Sequence, residues 1–269
     1  MKIEFLGVPT PSKVTKLDQN ITSILLDAFE SNNFVLRDRD VIIIASKIVS
    51  IAEGGQRPMD SIAEVSERAK EIAYMAKLDP RFVETVLQEA DDVFGAVPGA
   101  VLALRDKVLQ ANAGVDQSNA GGEGFLIVLP KDPVKTAKSI HDEIYARTRK
   151  KVGIIISDSK THPLRRGTSG FALAVAGFSP IIDDRGSLDL FGRSMRITSR
   201  AIADNLVCGA EILMGESAQQ VPIVIARGCD ELSFHKGKVD EYENNQQMKM
   251  DPELCLYMGP LWYSRKEEG

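Results

Sequence analysis

Apolar positions along the chain fall into two periods. Val41 to Ala45 and Val152 to Ser157 are unbroken runs rich in β-branched residues, which predicts buried strands. Lys2 to Val8, Val101 to Leu104, Val108 to Ala111, Phe125 to Leu129, Met195 to Thr198 and Val221 to Ala226 read as further strands. Between them, Ile21, Ile24, Leu25, Ala28 and Phe29 recur at helical spacing. Ser61 and Glu64 have capping-box spacing, which predicts a helix reaching about Lys77. Asp79-Pro80 and Asp132-Pro133 each predict an N-cap with proline at the first helical position. The second of these helices runs to about Arg149. Ser199 to Met214 reads as a helix with small residues, and Gly121, Gly122 and Gly124 mark a loop. After Gly228 the pattern turns polar and weakens. Interleaved strands and helices predict an α/β (or α+β) class with mixed sheets and packed helices.

Composition narrows the class without choosing a function. The chain has 269 residues, 33 basic against 38 acidic, a net charge of −5 and 43% apolar residues, so a folded core is expected and disorder is not. No apolar run approaches the roughly 20 residues of a membrane-spanning helix. The acidic balance argues against a nucleic-acid partner. Cys208, Cys229 and Cys255 are too widely spaced for a disulfide scaffold or a thiolate zinc site. The N-terminus lacks the apolar stretch of a signal peptide, so a cytoplasmic protein is expected.

Common catalytic motifs are missing. There is no P-loop, the Gly121–Gly124 cluster precedes a strand rather than a helix, and HExxH is absent. Gly167-Thr168-Ser169-Gly170 is one residue short of a nucleophile elbow. What remains are three polar clusters beside strands or helix ends: Asn112 to Asn119, Ser157 to Lys160, and Met214 to Ser217. Asp158 follows a buried strand and, with Ser159, offers hard oxygen ligands of the kind magnesium prefers. Asp116 and Glu216 would complete a carboxylate cluster. Taken singly, Asp116 reads more readily as an Asx-turn residue and Glu216 as a solvated helix end, while Asp158 reads equally as a strand-end cap. Arg165, Arg166 and Arg193 lie in loops and have the fork that suits phosphate or carboxylate recognition.

These clusters, in this order, resemble the coenzyme F420-0:L-glutamate ligase family, the gamma-glutamyl ligases of the deazaflavin coenzyme. The matching stretches are SKIVSIAEG from Ser46, SERAKEI from Ser66, NAGVDQSN from Asn112, VGIIISDSKTHPLRRG from Val152, DLFGR from Asp189 and LMGESAQQVPIVIARG from Leu213. The resemblance implies a catalytic unit over residues 1–228, with residues 229–269 as a C-terminal extension. It also implies two intimately joined subdomains and an intertwined homodimer. It implies GTP-driven joining of L-glutamate to the phospholactyl carboxylate of the deazaflavin through an acyl phosphate. Mg2+ or Mn2+ would assist, with K+ as a candidate further ion. By position, Asp116, Asp158, Ser159 and Glu216 fall on metal-ligand positions. Ser46, Lys47 and Asn119 fall on nucleotide positions, as do the segments Val8, Pro9, Thr10, Pro11 and Met214, Gly215, Ser217, Gln220, Val221. Arg165, Arg166 and Arg193 are our candidates for holding anionic substrate groups. One departure stands out: the family commonly has Lys where this chain has Ile51. If that segment is extended, Lys47 and Ile51 share a face but lie roughly 13 Å apart. Competing readings are a paralogous ligase acting on another acid, and a nucleotide-binding dimer without catalysis.

Overall fold

The computed structural model describes residues 2–14 and 20–260. In chain order the regular elements are β1 (Glu4–Val8), α1 (Ile21–Ser31), β2 (Val41–Ala45), α2 (Ser46–Ala52), β3 (Gln56–Pro58), α3 (Glu67–Ala76) and α4 (Pro80–Glu89). There follow β4 (Asp92–Val97), β5 (Ala100–Arg105), β6 (Val108–Ala111), β7 (Phe125–Ile127), α5 (Pro133–Thr148), β8 (Gly153–Thr161) and β9 (Thr168–Ala176). The last are β10 (Ile181–Asp183), β11 (Ser199–Ala201), α6 (Ile202–Met214), β12 (Ile223–Arg227) and α7 (Glu241–Gln246). This is the mixed α/β composition that the interleaved pattern predicts.

The elements group into two compact units, Met1–Ser61 with Asp116–Asn245, and Ile62–Val115 with Gln246–Gly269. The first is built on a five-stranded sheet ordered β1-β12-β2-β8-β9. Only β2 and β8 pair in parallel, with Val41 opposite Gly153 and Ala45 opposite Ser157. Alternation along these strands sends Ile42, Ile44, Ile154, Ile156, Ile223 and Ile225 into a core closed by Leu25, Ala28 and Phe29 of α1 and by Ala137, Ile140 and Ile144 of α5. Ile43, Ile155 and Val224 face the other way and are equally buried. Helix α6 packs there against β9, β1 and β12. Both faces are covered, which is why the central strands read as unbroken apolar runs. The approach of α6 to β1 is close: a Cβ on Gly209 would sit 2.3 Å from the Phe5 ring.

In the second unit, β4, β5 and β6 form an antiparallel sheet beside α3 and α4. Asp79 caps α4 as its sequence predicts, its carboxylate accepting the Arg81 N–H at 2.8 Å.

Several sequence expectations need correction. Helix α3 is capped by Ser66, whose hydroxyl accepts from the Ala69 N–H at 3.2 Å, while Ser61 donates to the Pro58 carbonyl instead. The strand predicted at Met195 to Thr198 instead begins just after that segment, as β11, and the following helix begins at Ile202 rather than Ser199. Strands β3, β4, β9 and β10 and helices α2 and α7 fall outside the elements that the pattern predicts. Strand β8 runs to Thr161, so Asp158 lies within it, opposite Phe171 of β9, rather than at its end. The segment after Ala45 is helical, so Lys47 and Ile51 stand one turn apart, roughly 6 Å, instead of 13 Å. Of the proposed C-terminal extension, residues 261–269 lie outside the described residues.

Candidate active site

A cavity of about 560 Å3 opens in the first unit where β2 passes into α2, β8 leaves its parallel pairing, and α6 ends. Asp116, Asp158, Ser159 and Glu216 all line it, although 42 residues separate Asp116 from Asp158 and 58 separate Asp158 from Glu216. Thr10, Ser46, Lys47 and Asn119 also face it, as do Met214, Gly215, Ser217, Gln220 and Val221 of the segment after α6. The expected N-terminal segment divides. Val8 is buried in β1, the Pro9 carbonyl accepts from the Asn32 side chain at 2.9 Å, and Pro11 is exposed away from the lining.

Local structure places each group. Asp116 is held by reciprocal backbone bonds with Ile127, of 3.0 and 2.9 Å. Its carboxylate accepts the Ser118 N–H at 2.9 Å and the Ser118 hydroxyl at 2.7 Å, so it makes the Asx turn while facing the cavity. The Lys47 ammonium lies 2.6 Å from the same carboxylate and donates to Ser118 Oγ at 2.8 Å. Burial pushes the Asp116 carboxyl up, but the Lys47 ammonium and the two Ser118 donors outweigh it and hold the group below the usual carboxylate range.

Asp158 follows a register shift in the β8–β9 ladder between Ile156 and Ser157; after Ser157, β8 leaves its pairing with β2 and continues against β9 alone. Burial pushes its carboxyl up to about 7, against the Ser159 N–H and Lys47, and the Asp116 and Glu216 charges push the same way. Protein atoms crowd the carboxyl, yet the residue is partly open to water through the cavity, which moderates the effect of burial. Glu216 is exposed and accepts from the Thr168 hydroxyl at 2.8 Å. Gly215 ends α6 at φ 62°, a conformation that favours glycine, and so turns Glu216 and Ser217 back towards the cavity. The Asn119 amide donates to the Ser217 carbonyl at 3.1 Å and ties two of the lining loops together.

The sequence reading missed Glu211. It lines the cavity from the last turn of α6, one turn before Gly215, and its carboxyl is pushed up to about 7 by burial and by the Glu216 and Asp158 charges. Only its i, i+4 spacing from Gly215 would have pointed to it. Lys13 and Ile51 also line the cavity. The three candidate arginines do not. Arg165 and Arg166 are exposed in the turn between β8 and β9. Arg193 is exposed in a turn where its N–H donates to Asp189 at 2.8 Å.

The donors offered are carboxylates and a hydroxyl, the hard oxygens that Mg2+ and Mn2+ take. Like charges converge on Asp158 and Glu211 and raise both, and a bound cation would relieve that repulsion. Among the described residues, no three carboxylate, histidine or cysteine groups stand close enough to form a ready-made cage. The donor set therefore fits a cation that keeps water or substrate oxygens in its shell rather than one fully enclosed by protein.

The comparisons with known proteins agree on one family. The F420-0:gamma-glutamyl ligase model matches residues 12–228, and the chain belongs to that family. It is 35% identical over 238 residues to the coenzyme F420:L-glutamate ligase of Methanocaldococcus jannaschii, covering 88% of this chain and 92% of the relative. It is 37% identical over 222 residues to that of Methanopyrus kandleri, covering 82% and 85%. It is 36% identical over 229 residues to that of Methanothermobacter thermautotrophicus, covering 85% and 90%. Among the described residues, no helix is long and apolar enough to cross a membrane.

Proposed function

We propose that this protein joins L-glutamate to F420-0 through an amide bond, using GTP as phosphoryl donor and Mg2+ or Mn2+ as assisting ion. The observation that carries this reading is the convergence of Asp116, Asp158, Ser159 and Glu216 on one cavity, together with Ser46, Lys47 and Asn119. The supporting finding is membership of the ligase family.

A carboxylate is a poor acylating agent, so amide formation needs it activated first. In the proposed course, an oxygen of the acceptor carboxylate attacks the γ-phosphorus of GTP and GDP leaves. The glutamate nitrogen, having lost a proton, then attacks the acyl carbon, and phosphate departs with the C–O bond pair. Such transfer depends on alignment and charge neutralisation more than on covalent help from the protein, which suits a cavity without a nucleophilic cysteine. Divalent cations held in part by Asp116, Asp158, Ser159 and Glu216, with water or substrate oxygens completing their shells, would supply Lewis acidity towards phosphate oxygens. Ser46 and Asn119 offer neutral hydrogen bonds, and Lys47 offers a positive charge beside them. We take the working form to be a homodimer. Leu188, Leu190, Phe191 and Ile197 lie exposed in the segment between β10 and β11, an apolar surface suited to a second copy.

The test is purified protein with F420-0, L-glutamate, GTP and Mg2+, followed by mass spectrometry of the deazaflavin. One GDP released for each glutamate added is the expected result. Turnover of another acid, with F420-0 untouched, would favour a paralogous ligase, and exchanging K+ for Na+ in the assay tests the monovalent ion. Light scattering after size-exclusion chromatography tests the dimer.

A further inference from the structure

We propose that Lys13 binds the phosphates of the nucleotide, as the positive charge of this cavity that no described residue pairs. The inference rests on the nucleotide reading above and adds a residue to it. Among the described residues, the side-chain cations lining the cavity are Lys13 and Lys47, against the carboxyls of Asp116, Asp158, Glu211 and Glu216. Lys47 is already engaged, 2.6 Å from Asp116 and 2.8 Å from Ser118 Oγ. One turn further along α2 the wall is Ile51, which brings no charge. Lys13 is exposed and makes no hydrogen bond or ion pair to another described residue.

Its neighbour fixes where it stands. Val14 packs against the buried cluster of Ile51, Ala120 and Ile127, so the backbone next to Lys13 is pinned to the cavity wall. The apolar residue at position 51 thus has a second effect: it seats the strand of chain that carries the free ammonium. A triphosphate entering a cavity rich in carboxylates meets repulsion that one divalent cation offsets only in part. A lysine on a flexible stem, anchored at its base and free at its tip, supplies the remaining charge where the phosphates lie.

The test uses the full chain with Mg2+ and calorimetric titration of GTP, GDP and GMP. Lys13→Ala should weaken GTP by about 10- to 100-fold, the span of a lost charge-assisted hydrogen bond, and GMP much less. Lys13→Arg should keep most of the affinity, and thermal unfolding of both variants should match wild type. Unchanged GTP affinity in Lys13→Ala would overturn the proposal. So would equal weakening of GTP and GMP, which would mean only that the wall had shifted. If wild type itself binds no GTP, the nucleotide reading fails and this proposal with it.

Discussion

One sheet holds two aspartates in opposite circumstances, one buried and one half-buried at the cavity. Asp40, just before β2, is 1% exposed and fully satisfied: Arg227 donates to both its oxygens at 2.8 and 2.7 Å, and the Arg37 N–H adds a third bond at 2.8 Å. Arg227 in turn reaches the Val35 carbonyl and lies over the Phe34 ring. Asp158, within the neighbouring strand β8 just past its parallel pairing with β2, has one backbone N–H at 2.9 Å and a shared lysine, with carboxylates for company. Where the partner is built in, as at Asp40, the carboxylate ties strands together; Asp158 lacks such a partner and, on the proposed function, would meet the cation that accompanies the substrate.

The sharpest way to break the contrast is to neutralise each in turn. Asp158→Asn should cut glutamate addition by about 10²- to 10³-fold, the cost of losing one preorganised charge-stabilising group. Its melting temperature should stay level or rise, because repulsion with Asp116 and Glu216 is removed. Turnover near the wild-type value would sink the metal assignment. Asp40→Asn should do the reverse. It strands the Arg227 guanidinium beside an uncharged partner, at a cost of about 3 kcal/mol at the low end for a broken buried pair. The variant should melt earlier, while the molecules still folded at low temperature keep their kcat.

Ligand linkage sharpens the same difference. With Mg2+ and GTP at about 100 times their dissociation constant, wild type should gain about 2.7 kcal/mol of stability. Asp40→Asn should gain the same increment from its lower base. Asp158→Asn should gain much less, and an equal gain in all three would show that Asp158 takes no part in holding the complex.

How far this was legible in the sequence follows the same division. The runs around Ile42 to Ile44 and Ile154 to Ile156 announced their burial, because covered faces need apolar residues on both sides of the strand. Asp79-Pro80 and Asp132-Pro133 announced their helices through side-chain caps. Helix α2 did not, since Ala45 precedes it with no capping hydrogen bond and the apolar run passes straight from β2 into it. Strand β9 hid for a related reason: an unbroken stretch from Phe171 to Phe178 carries no period to separate strand from helix. The carboxylate types were visible, but their meeting depends on the β2–β8 pairing and on the turn at Gly215. Glu211 sat inside an ordinary helical stripe, so only packing reveals that it faces a cavity.

A third aspartate sets the lower end of the scale. Asp79 caps α4 at the surface, bonded to Arg81 at 2.9 Å through side chains and 2.8 Å through the backbone. The Arg81 guanidinium, ahead of the opposing effect of burial, holds this carboxyl below its ordinary range. The folded form therefore binds its proton less readily than the unfolded chain. The stabilisation is fully present above the ordinary aspartate value near 3.9, and is lost as pH falls through the lower folded value. Asp79→Ala should cost about 1 kcal/mol at neutral pH, the usual price of an N-cap. Chemical denaturation at falling pH should show the gap between variant and wild type narrowing below about pH 4. A gap that stayed constant into acid would mean that the cap acts through shape rather than charge.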